Sequence, residues 1–248
     1  GTAITTGDNN TFVGYTAGDA TTTADDNTGI GKNALTDNTT GGLNTSIGSE
    51  ALANNTTADE NTAVGSLSLF TNTTGGSNTA VGHDSLRLNT TGANNSAFGV
   101  DALRANTTGT PNVAVGRGAL GANTTGGGNT AVGDIALGNN TTASGNTAVG
   151  RNSMNVNTEG HSNSALGDTA LFRNTTGDGN TAVGFQALDH NTTANNNTGV
   201  GISALTANTT GSENTAVGRN AMQAHTSGGD NVAFGNAALY SNTTAVLP

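Results

Sequence analysis

Four histidines and a few paired carboxylates are the residues of this sequence best suited to acid–base or metal chemistry. The histidines are His83, His161, His190 and His225. A zinc site or a Ser-His-Asp triad needs such side chains to converge within a few ångströms. Whether these residues can meet depends on the elements that carry them.

Those elements belong to a strict repeat. The phrase Asn-Thr-Ala-Val-Gly, with small variations, recurs every 17 residues without insertion or deletion. Such a period is typical of a solenoid whose coils stack on one another. We number each coil from its first Asn, position one, which falls at Asn10, Asn27, Asn44, Asn61, Asn78, Asn95, Asn112, Asn129, Asn146, Asn163, Asn180, Asn197, Asn214 and Asn231.

The repeat predicts an all-β fold, a parallel β-solenoid of fourteen 17-residue coils. Gly returns too often, and apolar positions do not recur at three and four, so we reject helices. Residues 1–9 read as an incomplete coil, and residues 10–248 as one continuous repeat domain. We expect this to be a segment of a longer chain or fibre.

Stacking keeps the chemical groups apart. The nearest histidines lie two coils from each other, roughly 10 Å along the stack, so we expect exposed histidines and no metal or catalytic site. Asp25 and Asp26, and Asp59 and Glu60, precede the recurring Asn, but most coils are neutral there. A calcium-binding solenoid repeats its Asp in every coil. The sequence therefore predicts no enzyme and no cofactor.

Apolar residues divide each coil into files. Position four is Val, Ile, Leu or Phe and position nine is nearly always Leu, so we expect both files to face the core. Gly at position five predicts a corner. Side chains alternate along a strand, so the small residues at positions three and eight should point outward. At position three they would form a self-association surface, exemplified by Ala63, Ala80, Ala131 and Ala148.

The variable positions six, seven, ten, eleven, sixteen and seventeen should face solvent. One charge ladder at position six supports the stacking register, because opposite charges on neighbouring strands attract. It comprises Arg117, Asp134, Arg151 and Asp168.

Asn-Thr-Thr at positions twelve to fourteen admits two interpretations. Stacked Asn and Thr side chains can form internal hydrogen-bond ladders. The same tripeptide is an acceptor for N-glycosylation, which needs an outward Asn. The candidate acceptors are Asn38, Asn55, Asn72, Asn89, Asn106, Asn123, Asn140, Asn174, Asn191, Asn208 and Asn242.

Composition limits the partners. The net charge is −10 and only seven residues are Lys or Arg, so we expect no nucleic-acid binding. No apolar run reaches the length of about 20 residues that spans a membrane, so we expect no membrane insertion. Cysteine is absent, which excludes disulfides and thiolate metal sites.

The phrase Thr-Ala-Val-Gly-x-x-Ala-Leu resembles the head repeats of YadA-like trimeric autotransporter adhesins. Thr130 to Gly133 followed by Ala136 and Leu137 is one example. It is also similar to repeat arrays of phage-type tail fibres. The resemblance implies a parallel β-roll in which three chains share an axis. The spacing of 17 residues and the Asn-Thr-Thr corner depart from that pattern.

From these observations we expect a non-enzymatic structural protein, an extracellular or cell-surface fibre or adhesin segment, or a virion fibre. It would be a stiff rod that assembles with copies of itself, as a homotrimer or an end-to-end filament. Two alternatives stay open. One is an ice-binding protein that uses its Thr files. The other is a tail-fibre module that binds a receptor or host-surface glycans through aromatic residues, for which the candidates are Phe70, Phe172, Phe185 and Tyr240.

Overall fold

A computed structural model describes residues 3–244. It confirms the parallel β-solenoid. Each coil contributes one strand of three residues, and the strands are parallel and follow the order of the sequence. They are β1 (Thr11–Val13), β2 (Thr28–Ile30), β3 (Thr45–Ile47), β4 (Thr62–Val64), β5 (Thr79–Val81), β6 (Ser96–Phe98), β7 (Val113–Val115), β8 (Thr130–Val132), β9 (Thr147–Val149), β10 (Ser164–Leu166), β11 (Thr181–Val183), β12 (Thr198–Val200), β13 (Thr215–Val217) and β14 (Val232–Phe234).

The chain comprises two compact units, residues 1–125 and 126–248. The first carries β1–β7 and the second β8–β14. Within each unit the pairing is in register, so that Thr62 pairs with Thr79 and Val64 with Val81, 17 residues further on. Among residues 3–244 there is no helix.

The corner after each strand depends on Gly at position five, as expected. In Gly82, φ is +137°, a backbone conformation that residues with a Cβ rarely adopt. A Cβ there would also lie 2.4 Å from the carbonyl oxygen of Gly99, the equivalent residue of the next coil. Close stacking and backbone conformation thus both require Gly.

The core differs from the sequence-based expectation at three positions. Position nine is buried as predicted, with Leu52 and Leu69 fully inaccessible. The assignment of positions three and four is wrong, because the alternation runs in the opposite phase. Ala at position three faces inward and position four faces outward. Position eight, also expected outward, is buried in most coils.

The first coil shows why small residues occupy position three. There Phe12 stands at position three and Gly18 at position nine, and a Cβ on Gly18 would lie 2.5 Å from the Phe12 ring. Elsewhere Leu at position nine fills this space and leaves room only for Ala, Gly or Ser. In β12, a Cβ on Gly199 would lie 3.2 Å from Cγ of Leu188. The two positions therefore share one interior volume.

Leu reaches that interior through an unusual backbone conformation. Leu52 has φ +49° and Leu69 has φ +50°, in the left-handed region that non-glycine residues seldom enter. Two backbone hydrogen bonds fix this corner. The Leu52 amide donates to the carbonyl oxygen of Ser68 (2.9 Å), and the Glu50 amide donates to the carbonyl oxygen of Lys32 (2.8 Å). Inter-coil bonding on both sides thus offsets the conformational cost.

Candidate functional surface

The outward face of the strands carries an apolar residue in every coil. Position four is half-buried to exposed along both units, and Phe98 and Leu166 are 42% and 52% exposed. Position two, mostly Thr or Ser, flanks it on the same face. We call positions two and four of β1–β14 the strand face. No residue of the strand face is charged.

The predicted self-association residues do not lie on this face. Ala63, Ala80, Ala131 and Ala148 are completely buried at position three. The expectation that they face outward is therefore wrong, since the narrow interior beside Leu at position nine admits only small side chains. The apolar surface that a partner can contact is the neighbouring position-four file instead.

The candidate glycosylation residues form an internal ladder. Asn55 donates through Nδ2 to Asn38 Oδ1 (2.9 Å) and to the carbonyl oxygen of Ala58 (3.0 Å). Both hydrogens of that amide are thus engaged, and a glycan would have to replace one of them. Except for the partly exposed Asn242, the acceptors have no accessible surface, namely Asn38, Asn55, Asn72, Asn89, Asn106, Asn123, Asn140, Asn174, Asn191 and Asn208.

A second ladder runs through position one. The backbone amide of Asn61 donates to Asn44 Oδ1 (2.9 Å), and Asn44 Nδ2 donates to the carbonyl oxygen of Ala58 (2.9 Å). These Asn side chains link two segments of the coil across its interior. Both Asn files therefore form hydrogen-bonding ladders, which confirms the ladder interpretation for position twelve.

The two Thr files differ in exposure. At position thirteen, Thr39 Oγ1 donates to the carbonyl oxygen of Thr56 in the next coil (2.9 Å). At position fourteen, Thr40 and Thr57 are exposed. One of the adjacent files therefore faces solvent and the other serves the backbone. Ice binding by these files stays a prediction, which thermal hysteresis would test.

Three of the four histidines are accessible, and the fourth is not. His83 and His161 are exposed and His190 is half-buried. The expectation of an exposed side chain is wrong for His225, which replaces Asn in the position-twelve ladder and has no accessible surface. Its Nε2 lies 2.8 Å from the carbonyl oxygen of Gly228 and must donate to it, whereas its Nδ1 has no hydrogen-bond partner.

Charged side chains form small local clusters. Arg151 and Asp168 are 2.8 Å apart in adjacent coils, as the position-six ladder predicts, and this contact raises the pKa of Arg151. Asp189 at position ten is buried, contrary to the expectation for that position. Burial raises the pKa of Asp189, while His190 and Arg173 act in the opposite direction.

The aromatic candidates are dispersed. Phe70, Phe172 and Tyr240 share position ten but belong to the fourth, tenth and fourteenth coils, and Phe185 is at position six of the eleventh. Phe185 and Tyr240 are exposed, while Phe70 and Phe172 are half-buried. Because they are spread over four coils at two repeat positions, the four residues do not form one aromatic cluster. Phe70 borders a surface groove.

Within residues 3–244, no group of three or more His, Asp or Glu residues is arranged to hold a metal ion. The same part of the chain contains no helix long and apolar enough to cross a membrane. The chain matches no known protein family, and no curated protein is significantly similar to it in sequence.

The strand face was missed because position four looks like a core file in the sequence. One signal could have revealed the correct phase. In the first coil, the large residue at position three (Phe12) coincides with the loss of Leu at position nine (Gly18), which indicates that these two positions face each other.

Proposed function

We propose that this chain is a non-enzymatic structural protein of an extracellular fibre or adhesin, and that it associates with copies of itself through the strand face. The observation that carries the proposal is the outward-facing file of half-buried to exposed Val, Ile, Leu and Phe at position four. Monomeric proteins rarely expose contiguous apolar surface of this kind, and such patches typically mark interaction sites.

The regular spacing of the file favours a second copy as the partner. Successive position-four side chains belong to hydrogen-bonded parallel strands, which lie about 4.8 Å apart. A partner must present apolar groups at this same interval over several coils. Another copy of the chain, parallel and in register, fulfils that condition without further adaptation, and the absence of charge on the face avoids repulsion between equivalent residues.

A lateral face favours a closed assembly over an end-to-end filament. Contacts along the strand face join chains side by side, and three chains around a common axis can bury all three faces. The resemblance to YadA-like head repeats implies the same number. The filament alternative would use the coil ends instead, and would leave the position-four file exposed.

Mass measurement by analytical ultracentrifugation tests this proposal. We expect the wild-type chain of 24.2 kDa to sediment as a species of three chains. The double variant Val64→Lys with Val81→Lys places charge on β4 and β5 and should give monomers. The matched control is Thr57→Lys with Thr74→Lys, at exposed position fourteen in the third and fourth coils, which should keep the wild-type mass.

A wild-type chain that stays monomeric at all concentrations would disprove self-association. Long uniform threads in negative-stain images would instead support the filament. Extracellular location is part of the proposal and rests on the resemblance.

A further inference from the structure

A groove of about 330 Å³ opens on the surface of the second to fourth coils, and none of its lining residues belongs to the strand face. Its floor is Ala53 at position ten. The equivalent residues of the adjacent coils are larger: Thr36 precedes it and Phe70 follows it. The small side chain between two larger neighbours creates the recess, and Phe70 forms its aromatic wall.

Polar side chains border the recess on both sides. Asn33 and Glu50 occupy position seven on one side, and Asp37 and Asn54 occupy position eleven on the other. Asp37 is exposed, and Glu50 and Asn54 are half-buried. The groove therefore offers two carboxylates as acceptors, amides that both donate and accept, and one aromatic ring.

We propose that this groove binds a neutral sugar residue of a glycan. A sugar ring has an apolar C–H face, which can pack against Phe70, and a rim of hydroxyl groups, which can donate to Asp37 and Glu50. Hydrogen bonds to ionised carboxylates are stronger than those between neutral groups. The volume is at the lower end of the range of about 300–1,000 Å³ for small-molecule sites.

The charges of the groove select against other ligands. Two carboxylates without Lys or Arg among the lining residues repel sialylated or sulfated sugars. Within the described part of the chain, Asp37 and Glu50 do not belong to a convergent group that could hold a metal ion. Acceptors spread across a recess suit a ring with several hydroxyl groups better than a compact cation.

The proposal does not depend on self-association, because no groove residue lies in a strand. It is tested with the intact chain on an array of neutral, sialylated and sulfated oligosaccharides, and with spermidine as a cationic competitor. We expect binding to at least one neutral oligosaccharide and none to the anionic ones. Isothermal titration with the strongest binder then provides the affinity.

Three variants locate the site. Ala53→Phe fills the recess, and the coil can accept it because Phe already occupies position ten at Phe70 and Phe172. Phe70→Ala removes the aromatic wall. Each should weaken binding about tenfold or more, because both change the centre of the contact. Phe172→Ala, the same substitution at the same repeat position in the tenth coil, should bind like the wild type.

Unchanged thermal unfolding of Ala53→Phe and Phe70→Ala would show that the loss is local. The proposal is wrong if no neutral oligosaccharide binds, if spermidine binds in its place, or if Phe172→Ala weakens binding as much as Phe70→Ala does. A monomeric wild-type chain that binds neutral sugar would disprove the self-association proposal and leave this one intact.

Discussion

The side-chain nitrogen of Asn55 donates a hydrogen bond of 2.9 Å to the side-chain oxygen of Asn38, its equivalent in the preceding coil. The same contact recurs between Asn72 and Asn55 at 3.1 Å. Asn55 and Asn72 thus each bond the preceding coil and also a carbonyl oxygen of their own coil, and neither side chain is accessible to water. A buried amide that is fully paired specifies one stacking register, whereas an unpaired one is costly.

Two adjacent Asn residues allow the contribution of the ladder to stability to be measured. Asn140 is buried, donates to the carbonyl oxygen of Ala143 and accepts from Asn157, whereas Asn139 is exposed. We expect Asn140→Ala to lower the free energy of unfolding by about 2–4 kcal/mol, because it leaves buried partners unpaired. Asn139→Ala should change it by no more than about 0.5 kcal/mol. Chemical denaturation provides both values, and equal effects would show that the ladder has no special role.

The ladder also leads to a prediction about glycosylation. In the folded coils both hydrogens of Asn55 Nδ2 are engaged, and the other buried acceptors stand in the same file. We therefore expect Asn55, Asn72 and the other buried acceptors of this file to carry no glycan when the chain is expressed in a glycosylating host. Peptide mapping by mass spectrometry decides this. A mass increase of whole glycans at Asn55 or Asn72 would contradict it, whereas Asn242 lies outside this argument.

His225 is a defect in the same ladder. Its Nε2 donates to the carbonyl oxygen of Gly228, and its Nδ1 has no hydrogen-bond partner. Asn208 Oδ1, one coil earlier, also lacks a hydrogen-bond partner. In regular coils, the side-chain nitrogen of one Asn donates to the side-chain oxygen of the Asn one coil earlier. An Asn in place of His225 should therefore provide a donor for Asn208 Oδ1. We expect His225→Asn to raise the free energy of unfolding by about 1–2 kcal/mol.

The matched control is His83→Asn, because the His83 side chain is 56% exposed. It should leave the free energy of unfolding within about 0.5 kcal/mol of the wild type. Destabilisation by His225→Asn would mean that the larger ring is required there for packing.

Asp189 provides a test by pH. Burial raises its pKa above the ordinary value of 3.8, so the folded chain binds a proton more readily than the unfolded chain. Stability therefore falls as pH rises from that value through the folded pKa, and the loss is complete above the folded pKa. We expect Asp189→Asn to unfold at a higher temperature than the wild type at pH 7.

The difference should shrink below pH 3.8, where Asp189 is protonated in both states. Asp230→Asn changes an exposed carboxylate and serves as the control, with little effect at either pH. A stabilisation by Asp189→Asn that persists unchanged in acid would show that ionisation is not its cause.

The period made the architecture predictable, and the ladders followed from the chemistry of Asn. The direction of each side chain was harder to obtain. Val64 is an apolar residue at a constant position, yet it faces outward, because Ala63 and Leu69 already fill the interior. That Leu69 can point inward depends on its φ of +50°, and residue type alone does not indicate a left-handed Leu.

Local exceptions to the repeat were also beyond the sequence. Position ten is variable and reads as solvent-facing, yet Ala53 forms the floor of a groove and Asp189 is buried. The recess at Ala53 depends on the larger residues at the same position one coil before and one coil after, Thr36 and Phe70. A pattern that treats each position separately does not include these neighbours.

The strand face as an interface between copies is the central claim, and cysteine cross-linking tests it most directly. The chain contains no cysteine, so a single introduced thiol reports on one position. In a parallel assembly in register, a thiol at residue 81 meets the equivalent thiol of another copy. We predict that Val81→Cys forms disulfide-linked dimers on mild oxidation at low protein concentration, and that Thr74→Cys, at exposed position fourteen, does not. Efficient cross-linking of Thr74→Cys, with Val81→Cys remaining a free, alkylatable thiol, would contradict the account.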